Sequence, residues 1–370
     1  MDFQFGHLIT SVLIVSGIAT VLSILIVIAD ATIGNYGDKK ITINNEKEII
    51  VDGGQTLLSA LKSEQIFIPS ACGGRGSCGL CKLKIESGAG EVLPTELPFL
   101  EPSEITDNVR LCCQVKVKAD LEVTVPEELF KIRQFEARCV SLVDLTADIK
   151  GLRLELSEND KIEFKAGQFI QLEVPVYDLT PEAVYRAYSI ASKPDDDGFI
   201  DLEIKYVPGG ICTTWVHKFL KVGDTVKFNG PYGDFYLRDT DAEMICMAVG
   251  SGMAPIKSIL THMAHRGINR KVKYFYGARK RDDLYNTELM EELEKLIPDF
   301  NFIPVLSRPE EEDNWSGKVG RLNNILPEYY ETAQGMESYL CGNPDALNSY
   351  IAALKNLGLR DDEIFYDPFA

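Results

Sequence analysis

Apolar residues are distributed so unevenly that the chain divides into four stretches. In the first, Leu, Ile, Val and Ala dominate from Leu8 to Ile28, and residues 3–29 contain no Asp, Glu, Lys or Arg. A helix of about 20 such residues matches the thickness of a bilayer core. We therefore expect residues 1–37 to form a transmembrane anchor that contacts lipid through residues 8–28.

Two other interpretations of this stretch are weaker. A cleaved signal peptide begins with basic residues and has an apolar run of about 7–15 residues, whereas residues 1–7 carry Asp2 without Lys or Arg, and the run is longer. A buried soluble helix would need a surrounding core, and no neighbouring sequence resembles one. Lys39 and Lys40 follow the apolar run, which favours a cytoplasmic body C-terminal to the anchor.

The second stretch, residues 38–130, combines alternating strand patterns with a cysteine-rich loop. Two alternating segments, 40–44 and 48–51, flank a polar turn and predict a pair of strands, followed by a short helix over 56–61. Three cysteines then follow as C-x5-C-x2-C in a glycine-rich loop, and a fourth comes later; the predicted metal ligands are Cys72, Cys78, Cys81 and Cys113.

Four thiolates are the ligand set of a [2Fe–2S] cluster, and the loop glycines let backbone N–H groups approach the sulfurs. The first gap is one residue longer than the plant-type spacing. Structural zinc is the alternative, but zinc sites usually come as two short hooks rather than three cysteines in one loop. Cys112 competes with Cys113 as the fourth ligand, and the two face opposite ways on an alternating strand.

The third stretch, residues 131–238, contains many short alternating segments separated by turns and predicts a small antiparallel barrel. Arg186-Ala187-Tyr188-Ser189 places a cation, an aromatic ring and a hydroxyl on one strand. The stretch Gly209-Gly210-Ile-Cys-Thr213-Thr214 leads into an apparent helix, predicted from Thr214 to Leu220. Small residues at a helix N-terminus suit a pyrophosphate.

The fourth stretch, residues 239–370, repeats a buried strand followed by glycine and predicts a doubly wound sheet. Such sheets bind ligands at the carboxyl ends of their strands. The first strand, 244–249, leads into Gly-Ser-Gly-Met-Ala-Pro, and later strands end near Gly277 and Gly342. The glycines at these strand ends, Gly250, Gly252, Gly277 and Gly342, are the residues that this pattern predicts to bind a nucleotide, although the first loop lacks the third glycine of the usual fingerprint.

Charge and cysteine usage narrow the function further. The formal net charge of −18 argues against nucleic-acid binding, which needs a basic surface. Of the nine cysteines, the five outside the proposed ligand set are scattered singly, which fits a reducing compartment and free thiols rather than disulfides.

The order of these motifs resembles the NADH-oxidising F subunit of the sodium-translocating NADH:quinone reductases, a branch of the ferredoxin–NADP reductase superfamily, over nearly the whole chain. Matching stretches include 69–74, 93–97, 239–244, 276–279 and 312–315. The resemblance implies a multidomain α+β protein with a transmembrane helix (1–37), a β-grasp ferredoxin-like [2Fe–2S] domain (38–130), an antiparallel FAD-binding barrel (131–238) and a doubly wound α/β NAD(H)-binding domain (239–370).

The same resemblance implies roles for individual residues. Arg186 holds the FAD pyrophosphate, Tyr188 packs on the isoalloxazine ring and Ser189 lies near its N5 atom, while Thr213 or Thr214 caps the phosphate-binding helix. The resemblance favours Cys113 over Cys112 as the fourth ligand, and it adds Met253, Pro255 and Arg279 to the predicted nucleotide-binding residues. Tyr188 and Ser189, with Cys341 of the nicotinamide-site loop and Phe369 as a cover over the flavin, are the predicted catalytic residues.

As a whole, the resemblance implies a single-pass subunit of the bacterial inner (cytoplasmic) membrane that passes electrons from NADH through FAD and the cluster to other subunits, with quinone as the distal acceptor. The acidic residues 310–313 would repel the 2′-phosphate of NADPH, whereas Ser307 and Arg308 could bind it; we favour NADH. The alternatives are an oxygenase reductase and a non-catalytic redox-sensing subunit. The chain departs from typical members in lacking a long insertion before Arg186 and in carrying Asn343 where close relatives have Pro.

Overall fold

The computed structural model describes residues 2–33, 36–158, 160–196 and 198–369. Packing divides the chain into two compact units, one of residues 1–68 and 79–130 and the other of residues 69–78 and 131–370. The second unit therefore takes residues 69–78 from the stretch in which the sequence placed the cysteine domain.

The apolar N-terminal stretch forms the helix α1 (Asp2–Ile33). Its side chains from Ser11 to Val27 are exposed. Within the described part of the chain, no helix combines the length and the apolar character needed to cross a membrane. The predicted transmembrane helix and its lipid contact are therefore not supported by the structure.

The rest of the first unit is a mixed five-stranded sheet covered by a short helix. The strand order is β2-β1-β5-β3-β4, in which only β1 and β5 run parallel. Its elements are β1 (Asp38–Ile43), β2 (Lys47–Asp52), α2 (Leu57–Ser63), β3 (Lys82–Ser87), α3 (Pro102–Thr106), β4 (Val109–Leu111) and β5 (Leu121–Thr124). The predicted strand pair and helix are present, with the Thr56 hydroxyl capping α2 by accepting a hydrogen bond from Ser59 N.

A buried ion pair joins the loop between β3 and α3 to the strand β4. Glu96 is fully buried and Arg110 is 4% exposed, and their closest atoms, Oε2 and Nη2, are 2.6 Å apart. The Glu96 carboxylate also accepts hydrogen bonds from the backbone N–H groups of Leu93 and Leu111. Burial acts to raise the pKa of Glu96, but these hydrogen bonds outweigh it and lower the pKa.

The first sheet of the second unit contains six antiparallel strands in the order β10-β7-β6-β11-β8-β9. It curls into a half-barrel whose two edges meet at an isolated bridge between Ile190 and Leu202, in agreement with the predicted antiparallel barrel. Its elements are β6 (Arg133–Asp144), β7 (Ile149–Leu156), β8 (Phe169–Val174), β9 (Val184–Ser189), β10 (Phe199–Lys205), α4 (Ile211–Lys218) and β11 (Thr225–Tyr232).

The second sheet of this unit is entirely parallel, in the order β15-β14-β13-β12-β16-β17. The chain order reverses between β12 and β16, and the carboxyl ends of strands at such a switch point form the crevice of nucleotide-binding sheets. Its elements are β12 (Met244–Val249), α5 (Met253–Arg266), β13 (Val272–Ala278), α6 (Thr287–Leu296), β14 (Phe300–Leu306), β15 (Lys318–Val319), α7 (Leu322–Ile325), β16 (Glu337–Gly342), α8 (Pro344–Asn356) and β17 (Ile364–Pro368).

Candidate functional site

The four predicted cluster ligands form two pairs. In the second unit, the Cys78 thiol donates a hydrogen bond to the sulfur of Cys72 at 3.4 Å, and this bond lowers the pKa of Cys72 to about 4. In the first unit, Cys81 and Cys113 are buried, and a hydrogen bond with the Cys113 thiol raises the pKa of Cys81. Each pair has the two thiolates that one iron of a [2Fe–2S] cluster takes.

Within the described residues, no group of three or more His, Cys, Asp or Glu side chains is arranged to hold a metal ion. The four-cysteine ligand set is therefore still a prediction, carried by the chemistry of the two pairs. Cys112 is fully buried in the hydrophobic core of the first unit, and burial raises the pKa of its thiol. Cys81 and Cys113 belong to the same core, so burial does not separate Cys112 from Cys113, and Cys113 as the fourth ligand stays a prediction of the resemblance.

The flavin signature lies on β9, at one edge of the half-barrel. Arg186 is partly buried, and its Nη1 donates a hydrogen bond to the Tyr185 carbonyl oxygen at 2.7 Å. Burial and the nearby Arg75 guanidinium lower the pKa of Arg186, so a bound anion such as a pyrophosphate would relieve both effects. Tyr188 packs against the barrel core and is hydrogen-bonded to the buried Cys212 thiol.

The two threonines at the start of α4 differ in a way that the sequence did not reveal. The Thr213 hydroxyl accepts a hydrogen bond from Val207 N and donates to Val207 O, each at 3.1 Å. The Thr214 hydroxyl is buried and has no hydrogen-bond partner among the residues that the structure describes. A buried orphan hydroxyl at a helix N-terminus fits a phosphate ligand, so Thr214 rather than Thr213 fits the FAD pyrophosphate. Gly210 is the N-cap of the same helix, and Gly209 has φ +74°.

The Gly-Ser-Gly turn joins β12 to α5 at the switch point, as predicted. A Cβ on Gly252 would lie 2.7 Å from the carbonyl oxygen of Cys341, so only glycine allows the two loops this close. Pro255 lies in the first turn of α5, where its missing N–H is harmless. Met253 is fully buried and accepts a hydrogen bond from Tyr274 through its sulfur, so its side chain belongs to the core.

The last strand brings a carboxylate to the flavin strand. In β17, Asp367 pairs in register with Cys341 of β16, and its Oδ2 accepts a hydrogen bond from the Ser189 hydroxyl at 3.0 Å. Burial raises the pKa of Asp367 to about 6. Cys341 is fully buried, and burial raises the pKa of its thiol. Phe369 donates its backbone N–H to Gly342 O at 2.9 Å.

Asp367 was missed as a site residue because its only sequence signal is its place in the terminal Tyr-Asp-Pro-Phe. Glu203, on β10, is a second site residue that the sequence analysis missed. Its carboxylate accepts hydrogen bonds from Lys257 Nζ at 2.8 Å and from the Tyr285 hydroxyl at 2.9 Å, and Tyr285 also contacts the Gly250 carbonyl oxygen at 3.2 Å. Glu203 thus supports the dinucleotide loop from the barrel side.

The predicted ribose end of the site lies where β13 and β14 end. A Cβ on Gly277 would lie 2.9 Å from a methyl group of Val249, so the glycine permits close packing of β12 and β13. Arg279 and Arg308 are exposed and joined through a backbone hydrogen bond at 2.9 Å. Glu310 forms an ion pair with Lys280, which reduces the negative charge of the acidic run.

Three family models match the chain. The 2Fe-2S iron-sulfur cluster binding domain covers residues 41–118, the oxidoreductase FAD-binding domain covers residues 136–236, and the oxidoreductase NAD-binding domain covers residues 244–351. The chain is therefore an oxidoreductase with FAD, a [2Fe–2S] cluster and NADH as its cofactors, as the motifs predicted.

Solved structures agree with these matches. The chain is similar to the cytochrome P450 reductase GcoB of Amycolatopsis, with TM-score 0.72 and 28% identity over 90% of this chain and 98% of that one. It is also similar to the ferredoxin reductase of a carbazole 1,9a-dioxygenase, with TM-score 0.69 and 25% identity over the same shares.

Curated relatives match the chain nearly from end to end. The F subunit of the Na(+)-translocating NADH-quinone reductase of Neisseria meningitidis is 35% identical over 98% of this chain and 99% of its own length. The F subunit of the same enzyme from Serratia proteamaculans has the same identity and coverage. These relatives confirm the resemblance seen in the motifs. The chain belongs to the family of F subunits of the Na(+)-translocating NADH-quinone reductases.

Proposed function

We propose that this chain oxidises NADH and passes the electrons through FAD and the [2Fe–2S] cluster to an acceptor in a multi-subunit NADH-quinone reductase. The observation that carries the proposal is the 3.0 Å hydrogen bond between Ser189 and Asp367. It joins the flavin strand β9 to the carboxyl edge of the nucleotide sheet, where a flavin and a nicotinamide must meet for hydride transfer.

The residues that would hold FAD are Arg186, Thr214 and the N-terminus of α4. The guanidinium supplies charge and hydrogen bonds to the pyrophosphate, and the buried Thr214 hydroxyl gains a hydrogen-bond partner there. When bound, FAD accepts two electrons as hydride, and the cluster carries electrons one at a time. Tyr188 and Ser189 then orient the ring, and Asp367 fixes the Ser189 hydroxyl.

The NADH side is organised by the crevice between β12 and β16. Gly250 and Gly252 admit the pyrophosphate to the N-terminus of α5, where backbone N–H groups and the helix dipole favour an anion. Cys341 and Gly342 would border the nicotinamide position, and Phe369, whose backbone N–H donates to Gly342 O, would cover the flavin ring where the nicotinamide enters. Their roles as catalytic or binding residues are part of this proposal.

We infer NADH rather than NADPH as the donor. Glu311 and Glu312 are exposed next to the predicted ribose position and would repel a 2′-phosphate. Steady-state assays with each nucleotide test this inference, and a large preference for NADPH would contradict it.

The order of electron transfer is tested by Cys78→Ala. We expect NADH to bleach the flavin at the wild-type rate in this variant, because the FAD and NADH residues are unchanged, while reduction of a one-electron protein acceptor stops. Cys139→Ala, at a buried cysteine of β6 far along the chain from the ligands, is the matched control. Onward transfer at the wild-type rate in Cys78→Ala would refute this order.

The limits 38–130, 131–238 and 239–370 are our proposed domains, and they enclose the three matched ranges.

We also propose that α1 holds the chain at the bacterial inner membrane, with the body in the cytoplasm, other subunits as partners and quinone as the distal acceptor. Its exposed apolar side chains from Ser11 to Val27 support this. Alkaline carbonate extraction of membranes should leave the full chain in the pellet and release a variant that lacks residues 2–33; equal release of both would contradict membrane attachment.

A second candidate function is the reductase of an oxygenase, favoured by the two structural neighbours, which are reductases of a cytochrome P450 and of a dioxygenase. The full-length similarity to F subunits weighs against it. Co-purification decides between the two: other reductase subunits should accompany the tagged chain from its native membrane, and a hydroxylase in their place would support the second candidate.

A further inference from the structure

A buried glutamine on β8 connects the half-barrel to the segment that carries two of the predicted cluster ligands. Gln171 is 3% exposed. Its Oε1 accepts a hydrogen bond from the backbone N–H of Ser70 at 3.1 Å, and its Nε2 donates to Asn229 Oδ1 at 3.1 Å. The Tyr232 hydroxyl donates to the same Asn229 oxygen at 2.7 Å.

The register of the sheet shows why this burial is unusual. Ile170 and Leu172, the neighbours of Gln171 on β8, lie in the barrel core with no exposed surface. Gln171 faces the opposite side of the sheet, since side chains alternate along a strand. A glutamine on that face would normally contact water, and here its carboxamide oxygen is instead taken up by Ser70.

A second contact holds the same segment to β9. Gly73 has φ +65°, and a Cβ at this position would lie 2.6 Å from the Tyr185 carbonyl oxygen and closer still to Arg186 Nη1. Glycine therefore lets the segment lie directly against the arginine that we assign to the FAD pyrophosphate. Gln171 pairs in register with Ala187, so both contacts reach the flavin signature.

We propose that Gln171 is a positioning residue for electron transfer from FAD to the cluster, because it fixes the segment 69–78, with Cys72 and Cys78, against the strands that hold the flavin. This proposal rests on the proposed function. In the step concerned, the reduced flavin loses one electron and the oxidised cluster gains it. The rate of such a step depends on how precisely donor and acceptor are held.

The test compares three variants of the full chain loaded with its cofactors. Gln171→Met keeps the length of the side chain and removes its hydrogen bonds, including the one that Ser70 N–H donates. Gln171→Glu keeps an acceptor for Ser70 N–H and removes only the donor to Asn229 Oδ1, so it separates the contact with the segment from the contact within the barrel. Gln168→Met is the matched control, because Gln168 also bridges two backbone groups of the barrel, Lys165 N and Gly233 O, and does not contact Ser70.

The first readout is amide hydrogen exchange, which does not depend on activity. We expect the Ser70 N–H to exchange about tenfold to a hundredfold faster in Gln171→Met, because its buried acceptor is lost. Exchange at Ser70 should stay close to the wild-type rate in Gln171→Glu and Gln168→Met. Unchanged exchange in Gln171→Met would show that Gln171 does not hold the segment at Ser70 and would overturn the proposal.

The second readout separates the two redox steps by stopped-flow absorbance. Flavin bleaching by NADH should be unchanged in all three variants, and cluster reduction should slow about tenfold or more in Gln171→Met alone. Wild-type cluster reduction in Gln171→Met, or equally slow reduction in Gln171→Glu, would overturn the positioning role. Absence of flavin bleaching in the wild-type chain would instead refute the proposed function. Hydrogen exchange would still show whether Gln171 holds Ser70.

If Gln171→Met does not fold, Gly73→Ala replaces it, with iron and flavin content and flavin bleaching by NADH all measured, so that a loss of either cofactor is distinguished from a loss of positioning. The added methyl group must displace the Arg186 guanidinium, so the same step should slow. Unchanged cluster reduction in Gly73→Ala would overturn the proposal.

Discussion

Replacing Asp367 by Asn should raise the free energy of unfolding and slow the reduction of the flavin by NADH. The amide has nearly the shape of the carboxyl group, and its carbonyl oxygen can still accept the hydrogen bond that Ser189 donates at 3.0 Å. Asp367→Asn therefore removes a charge beside the buried Cys341 and leaves the connection between β17 and β9 in place.

The size of the stability gain follows from the pKa. Burial raises the pKa of Asp367 from 3.8 to about 6, so folding favours the protonated form. That contribution is fully present below pH 3.8, is lost as the pH rises through about 6, and leaves a charge that opposes folding at pH 7. A shift of about two units corresponds to about 3 kcal/mol. Since the side chain keeps some contact with solvent, which screens the charge, we expect Asp367→Asn to gain about 1–2 kcal/mol.

Urea unfolding of wild type and Asp367→Asn between pH 4 and pH 8 measures this gain. The difference in the free energy of unfolding should be near zero at the acid end and should grow through about pH 6. Asp178→Asn, at an exposed position in the same unit, is the control and should show no such pH dependence. A variant that is less stable than wild type at pH 7 would refute the burial argument.

The rate should move in the opposite direction. A hydrogen bond to a charged group is worth about 1 kcal/mol more than one to a neutral group, so flavin reduction by NADH should slow about fivefold to tenfold. The pH profile of the wild-type rate should also contain a step near pH 6 that the variant lacks. A stability gain with an unchanged rate would show that Asp367 takes no part in orienting Ser189.

Three further substitutions test separate parts of the structure. Glu96→Gln should lower the free energy of unfolding by about 3–5 kcal/mol because Arg110 is left buried without its counter-charge. Since the pKa of Glu96 is lowered, this loss should shrink as acid protonates the wild-type carboxylate below pH 4.5. Urea unfolding at neutral and acid pH measures the loss, and a loss that does not change with pH would contradict the argument. Thr214→Val should weaken FAD binding about tenfold without lowering the melting temperature, because its hydroxyl has no partner within the described chain; flavin fluorescence titration measures it, and unchanged affinity would exclude Thr214 from the FAD site. Gly252→Ala should raise the KM for NADH about tenfold, because its Cβ would lie 2.7 Å from the Cys341 carbonyl oxygen, and an unchanged KM would show that this loop does not bind the nucleotide.

Features that depend on local pattern could be predicted from the sequence. An apolar run followed by glycine marks the end of a buried strand, which is why Gly250 and Gly342 could be placed at the ends of β12 and β16. Carboxyl ends of parallel strands share one edge of the sheet, so both glycines were expected at the edge that binds the nucleotide. The alternating segments of the barrel and the strand pair 40–51 followed from their own periodicity.

Features that depend on distant parts of the chain could not be predicted. Ser189 and Asp367 are separated by 178 positions and Ser70 and Gln171 by 101, and no local pattern reports such a pairing. In Phe-Ile-Gln-Leu-Glu-Val, Gln171 looks like an ordinary solvent-facing residue of an alternating strand. Thr213 and Thr214 are chemically identical, and only their backbone surroundings show which hydroxyl suits a ligand.

The two redox steps therefore depend on different kinds of contact. One hydrophobic cluster joins the barrel to the nucleotide sheet, with Ile149 and Phe235 packed together with residues of β12 and β16, and Glu203 adds an ion pair with Lys257. The two parts of the chain that would hold the flavin and the nicotinamide are thus joined by many contacts, and one conservative change outside the site should alter the hydride step little. The segment with Cys72 and Cys78 is held to the same barrel by a few hydrogen bonds through Gln171 and by close packing at Gly73. Single substitutions should accordingly affect the flavin-to-cluster step more than the hydride step.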